Sequence, residues 1–246
     1  MRYALNAEWT KLRTLAGTAW LLVGTIALTI AVGAATAGAT TCPMTGCTQD
    51  TVKLSLTGIY LGQAVVAILA VLVISGEYTT GMIRTTLTAM PRRTTVLAAK
   101  AVVLTGLVLV AAVVAVAGSL VAGRLLQPGL TLDSPALRAG LGAVLYLVLI
   151  ALFGLGTATA VRDPAVGVGV VLGLLYLFPI MAAAIGDQHW KKHLEQVAPM
   201  TAGLAITATK NLHDLPISPW KGLGVLVVWA AAAMLLGGLV LRTRDA

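Results

Sequence analysis

ISGEYTTGMIRTTLTAMPRRTTVLAAK, residues 74–100, lies between two long apolar runs and holds four basic residues, Arg84, Arg92, Arg93 and Lys100. How this stretch is read decides what kind of protein the chain is. Gly76 and Gly81 have the spacing that opens a phosphate-binding loop. Such a loop continues with Lys, which neutralises phosphate, and then Ser or Thr, which ligates magnesium. Here Met82 and Ile83 follow Gly81, and no strand precedes. The nucleotide reading therefore fails on chemistry, and a short helix is left. Thr79 or Thr80 can cap it, and Pro91 lies just beyond its end. Ile83, Leu87 and Met90 fall at i, i+4 and i+7 on one face, with Arg84 and Thr88 turned away. A basic amphipathic segment of this kind rests on anionic lipid or presents a face to a cytoplasmic partner.

The surrounding composition favours a membrane. Of 246 residues, 58% are hydrophobic and 11% charged, and the mean hydropathy is +0.93. A soluble domain carries about 45–50% apolar residues, so too few polar residues remain here to cover a soluble surface. The expected fold is an all-α polytopic membrane protein. Six runs are long enough to span, since a span needs about 20 apolar residues: 18–38, 56–74, 101–123, 139–161, 165–185 and 222–241. None of them holds Asp, Glu, Lys, Arg or His, which argues against a proton relay, an ion path or intramembrane catalysis. The net charge of +8 sits mostly in loops beside apolar runs. It is a topology signal rather than a nucleic-acid footprint, and no nucleic-acid partner is expected. With six spans both termini share one side. That side collects ten Lys and Arg against seven opposite, which places both termini in the cytoplasm.

Residues 1–17 precede the first span. Leu5, Trp9, Leu12 and Ala16 share one helical face, which suits a helix lying in the cytoplasmic interface against membrane lipid. A basic topogenic tail is the plainer alternative. Ala37-Gly38-Ala39 could serve as a signal-cleavage site, but the run before it exceeds a signal peptide's apolar region, so a retained span is expected. The first outer loop carries the only cysteines, Cys42 and Cys47, either bonded across the Pro43–Gly46 turn or as two free thiols. Asp163 and Pro164 suit the start of the fifth span. The outer segment 186–221 reads as two short re-entrant or interfacial helices broken near Pro199. His189 and His193 lie one turn apart within it. Zinc proteases place Glu directly after the first of such a pair, whereas Trp190 stands here. The pair is expected to be solvated, with no metal or cofactor on this chain.

These residues resemble the ABC type-2 (ABC-2) permease family. Its loop after span two runs Glu, three residues, Gly, one residue, an aliphatic residue, a Leu-containing turn, Pro, basic residues and a Lys opening the next span. This chain supplies Glu77, Gly81, Ile83, Leu87, Pro91, Arg92 or Arg93, and Lys100 in that order, and a leader of Glu8, Trp9, Thr10, Lys11, Leu12 and Arg13. Where the family often has a second acid soon after the Gly, Arg84 stands here.

The resemblance implies that loop 75–100 forms a coupling helix that docks on a separate ATPase subunit, through Glu77, Gly81, Ile83, Arg84, Leu87 and Met90. It implies a connecting helix in the leader with Glu8, Trp9, Lys11, Leu12 and Arg13, and ATP and magnesium on the partner. A second permease copy, identical or paralogous, would complete the transporter in a bacterial plasma membrane. Gly58/Gly62 and Gly169/Gly173 permit close helix approach, within one chain or between copies. A path between copies would be lined by Thr25, Thr29, Tyr60, Gln63 and Tyr176, residues that could equally satisfy neighbours inside one bundle. The resemblance implies export, and the uncharged spans favour an apolar or amphipathic substrate such as a drug, lipid or peptide. The rival readings are a stand-alone channel or secondary carrier, and a non-transporting immunity or scaffold protein.

Overall fold

The computed structural model describes residues 2–14, 16–40, 49–89, 93–127, 130–131 and 133–243. Among them every regular element is a helix. In chain order these are α1 (Arg2–Thr14), α2 (Ala16–Ala39), α3 (Thr51–Ser55), α4 (Ile59–Thr79), α5 (Met82–Ala89), α6 (Arg93–Leu126), α7 (Ser134–Val161), α8 (Pro164–Ala184), α9 (Gln188–Val197), α10 (Pro199–Leu204) and α11 (Pro219–Thr243). Two 3-10 turns, Ala205–Thr207 and Leu212–Asp214, lie between α10 and α11. Six of the helices, α2, α4, α6, α7, α8 and α11, are long and apolar enough to cross a membrane. The chain is an all-α, multi-pass membrane protein.

Two of the spanning helices run further than their apolar stretches. α4 continues past Ile74 to Thr79 and takes in Glu77, while α6 starts at Arg93 and takes in Lys100. Reading spans by hydropathy stops at a charge. The helices continue because these two charges meet each other inside the fold.

The core is α7, which packs against α4, α6, α8 and α11. Its Tyr146, Leu147, Ile150, Phe153 and Leu155 are fully or almost fully buried. Small residues let its neighbours close in. A Cβ at Gly156 would lie 2.5 Å from the Ala233 backbone of α11, and one at Gly154 would lie 3.0 Å from Ala70 of α4. α2 and α8 are peripheral and show Val23, Leu28, Val166, Leu177 and Ile180 outward. Water would make that surface an aggregation site, whereas hydrocarbon simply solvates it. Asp163 accepts the Val166 N–H at 2.8 Å and caps α8, with Pro164 in its first turn.

On the face opposite the termini, the segment after α8 folds back between the ends of the spanning helices. A Cβ at Gly222 of α11 would lie 2.0 Å from the Ala202 carbonyl, and one at Gly142 of α7 would lie 2.0 Å from Ile206. α10 and the turn after it therefore sit alongside the spans rather than beyond their ends. The Trp229 indole donates to the Val197 carbonyl at 2.9 Å, and Gln196 donates to the Pro216 carbonyl at 2.7 Å. Pro199 opens α10.

One carboxylate ties this segment to the rest of that face. Asp50 caps α3 through Lys53 N–H at 3.0 Å. It also accepts the Thr209 hydroxyl at 2.7 Å, the Lys210 N–H at 2.9 Å and the Thr209 N–H. Burial pushes its acid strength down, but these donors, Thr209 first, outweigh it and hold the carboxyl below its ordinary 3.8. A lowered folded value means the stabilisation is complete above the ordinary value and lost as pH falls through the folded one. Thermal stability is expected to drop below about pH 4, and Asp50→Asn should flatten that acid limb. An acid limb unchanged in the variant would show that Asp50 does not carry it. Cys42 and Cys47 lie outside the described residues.

Candidate functional site: a buried ion cluster

Glu8 and Lys11 sit one turn apart on α1. The buried stripe of α1 is Ala4, Glu8 and Leu12, exposed by 1%, 1% and 5%, while Trp9 is 49% exposed. Apolar periodicity puts Leu5, Trp9 and Leu12 on one face. The true inward face lies about one residue round from it, because Glu8 is drawn in by a buried cation. An apolar count treats every Glu as outward.

That cation is Lys100, which is 1% exposed. Its ammonium lies 2.7 Å from Glu8 Oε2 and 2.7 Å from Glu77 Oε1. The Lys11 ammonium closes the ring, at 3.0 Å from Glu8 Oε1 and 2.7 Å from Glu77 Oε1, and reaches the Thr86 hydroxyl of α5 at 3.4 Å. Two carboxylates and two ammonium groups cancel, so the cluster is neutral. Burying an ion costs several kcal/mol, and only this mutual pairing makes the site tolerable. For Lys11, burial works against the charge, but Glu77 and then Glu8 outweigh it and raise its pKa above 10.5. Its charge therefore persists to higher pH than that of a free lysine.

The ring therefore joins four helices: α1, the last turn of α4, α5 and the start of α6. The expected connecting-helix residues Glu8 and Lys11 and the expected coupling residue Glu77 are one constellation, although nothing in their spacing along the chain merges them. Lys100 is legible in sequence only as the start of a span, and Thr86 carries no signal there.

Of the apolar stripe expected on α5, only Ile83 has a described side chain. Ile83 is 4% exposed and packs inward, while Met82, Arg84, Thr85 and Thr88 are open. Of the expected stripe, the Leu87 side chain and Met90 lie outside the described residues. Gly81 has φ of 71°, and a Cβ added there would meet nothing within 4 Å. Its role is the left-handed turn from α4 into α5, a conformation that glycine adopts without strain. Arg13 is exposed on α1. The outward surface of this region carries Trp9, Arg13, Met82 and Arg84, and both of its acids, Glu8 and Glu77, are turned inside.

The five residues expected along a path fall into two groups. Thr25 and Thr29 are fully buried and return their hydroxyls to the Leu21 and Thr25 carbonyls of their own helix, at 2.9 Å and 2.6 Å. Gln63 is fully buried and accepts from the Tyr146 hydroxyl, and the Tyr176 hydroxyl donates to the Tyr60 carbonyl. Tyr146 is a partner that the apolar run around it conceals. The available signal is chemical: a phenol at that depth needs a hydrogen-bond partner, and Gln63 is the one amide at comparable depth.

The structure is thus a six-span helical membrane bundle with a neutral ion cluster at one end. The family described as ABC-2 family transporter protein matches residues 4–186. With most of its length so matched, the chain belongs to the ABC-2 transporter family and is a permease subunit of an ABC transporter. The matched range contains Glu8, Lys11, Glu77 and Lys100. Comparison with the curated proteins gives no match.

Proposed function

We propose that this chain is the membrane half of an ATP-driven exporter, and that a separate ATPase docks on the exposed faces of α1 and α5. The observation that carries this reading is the ring of Glu8, Lys11, Glu77 and Lys100. In this reading a push on α5 or α1 is passed through it to α4 and α6. ATP and magnesium belong to the partner. The ring lies on the side of both termini, which this reading places in the cytoplasm of a bacterial cell. A second permease copy completes the path, and the uncharged spans suit an apolar or amphipathic substrate.

Co-purification tests the reading. An ATPase subunit should accompany the wild-type chain, with hydrolysis stimulated by the permease. Arg84→Glu on the outward face should weaken that association while leaving the permease folded. Gly81→Pro should uncouple hydrolysis from transport, because proline cannot take a positive φ. Full transport by this chain alone in ATP-free vesicles would overturn the proposal in favour of a stand-alone carrier.

A further inference from the structure

Helical spacing alone leaves His189 and His193 as two separately solvated side chains. In the structure their Nε2 atoms lie 3.2 Å apart, with ring centroids at 4.5 Å and planes at 84°. Both residues are exposed. We infer that this pair is a binding site for a divalent transition cation, zinc being the reference case, on the outer helix α9.

The geometry sets this apart from an ordinary one-turn spacing. A cation about 2.0–2.1 Å from both nitrogens would subtend roughly 100° at this separation, close to the tetrahedral angle. As it stands the contact is an Nε2–Nε2 hydrogen bond, one ring donating and the other accepting, so loading requires the donor ring to exchange its Nε2 proton for one on Nδ1 through solvent, which frees both Nε2 lone pairs. Water fills the remaining positions, because among the described residues no group of three or more His, Cys, Asp or Glu converges. Asp187, whose carboxylate accepts the His189 N–H at 2.8 Å, adds a negative charge next to the first ligand.

The cation would act on α9 itself. None of the ten residues of this helix is buried, and isolated helices shorter than about 12–15 residues are marginal. α9 is held at its ends, by the Asp187 cap and by the bonds of Gln196 and Val197 to the Pro216–Trp229 region. A ligand that bridges residues 189 and 193 stabilises the first half, in proportion to the logarithm of its free concentration over its dissociation constant once that ratio is large.

The test uses the full chain without a polyhistidine tag, purified in detergent and titrated with zinc chloride by calorimetry. One zinc per chain is expected for the wild type and for His213→Ala, a control at the third histidine. His189→Ala and His193→Ala should each weaken binding by about tenfold or more, through loss of one of two nitrogen donors. Both positions are exposed, so these variants keep the bundle. Zinc should also slow amide exchange in α9 and leave α7 unchanged. Absence of zinc binding to the wild type, or wild-type affinity in both alanine variants, would overturn the inference.

Discussion

Lys100→Met is expected to destabilise the protein by about 3–5 kcal/mol, the usual consequence of removing one partner from a buried ion group. The methionine fills a similar volume but leaves Glu8 and Glu77, both almost fully buried, sharing the single ammonium of Lys11. The cluster then carries one uncompensated negative charge. Adding Glu8→Gln restores neutrality, because the charges of Lys11 and Glu77, 2.7 Å apart, then cancel. The double variant should therefore recover most of the loss. Thermal unfolding in detergent measures the cycle, and yield of monodisperse protein reads it where the single variant is too unstable to melt. Additive destabilisation by the two changes would show that the four residues do not act as a unit. The ring is also unlike an ordinary stabilising feature. Well-packed apolar residues often match a buried ion group in stability, so its value here lies in fixing how α1 and α5 sit against α4 and α6.

Gly58→Ala should produce the second large effect. A Cβ at this position would lie 1.9 Å from the Thr29 carbonyl oxygen and 2.7 Å from its carbon. Backbone cannot swing aside as a side chain can, so α2 and α4 must separate. Overpacking of this kind costs about 1–3 kcal/mol, and occasionally more. Gly62 touches the same residue, with a Cβ 2.3 Å from Thr29 Oγ1. Gly169 and Gly173 make the comparison clean, because a Cβ at either meets nothing within 4 Å. Gly169→Ala should change stability by less than about 0.5 kcal/mol. Equal melting of the Gly58 and Gly169 variants would contradict the close α2–α4 approach. Two pairs with the same spacing thus have different places: one is consumed inside the chain, the other faces outward.

A G-x-x-x-G pair states that two backbones can approach, and says nothing about whose. Likewise Ile83 fits an apolar stripe, but a stripe on an eight-residue helix does not say whether it faces its own bundle or a partner. The bundle takes it, and the polar side with Met82 and Arg84 is left outside. His189 and His193 are visible at their helical spacing, yet only the side-chain placement brings their ring nitrogens to 3.2 Å.

The class of protein was legible from the order of residues. Six uninterrupted apolar runs leave no soluble alternative, because backbone in hydrocarbon must satisfy its own hydrogen bonds and helices do so locally. The loop motif with Glu77, Gly81 and Lys100, together with the leader around Glu8 and Lys11, carried the family. That those two motifs form one site is a property of the packed bundle. Glu8 and Lys100 are 92 residues apart in the chain and 2.7 Å apart in space. Local periodicity fixes which residues share a helix face. It cannot assign a charge to a partner on another helix, because that pairing is set by how the helices pack and by the cost of leaving either charge buried alone.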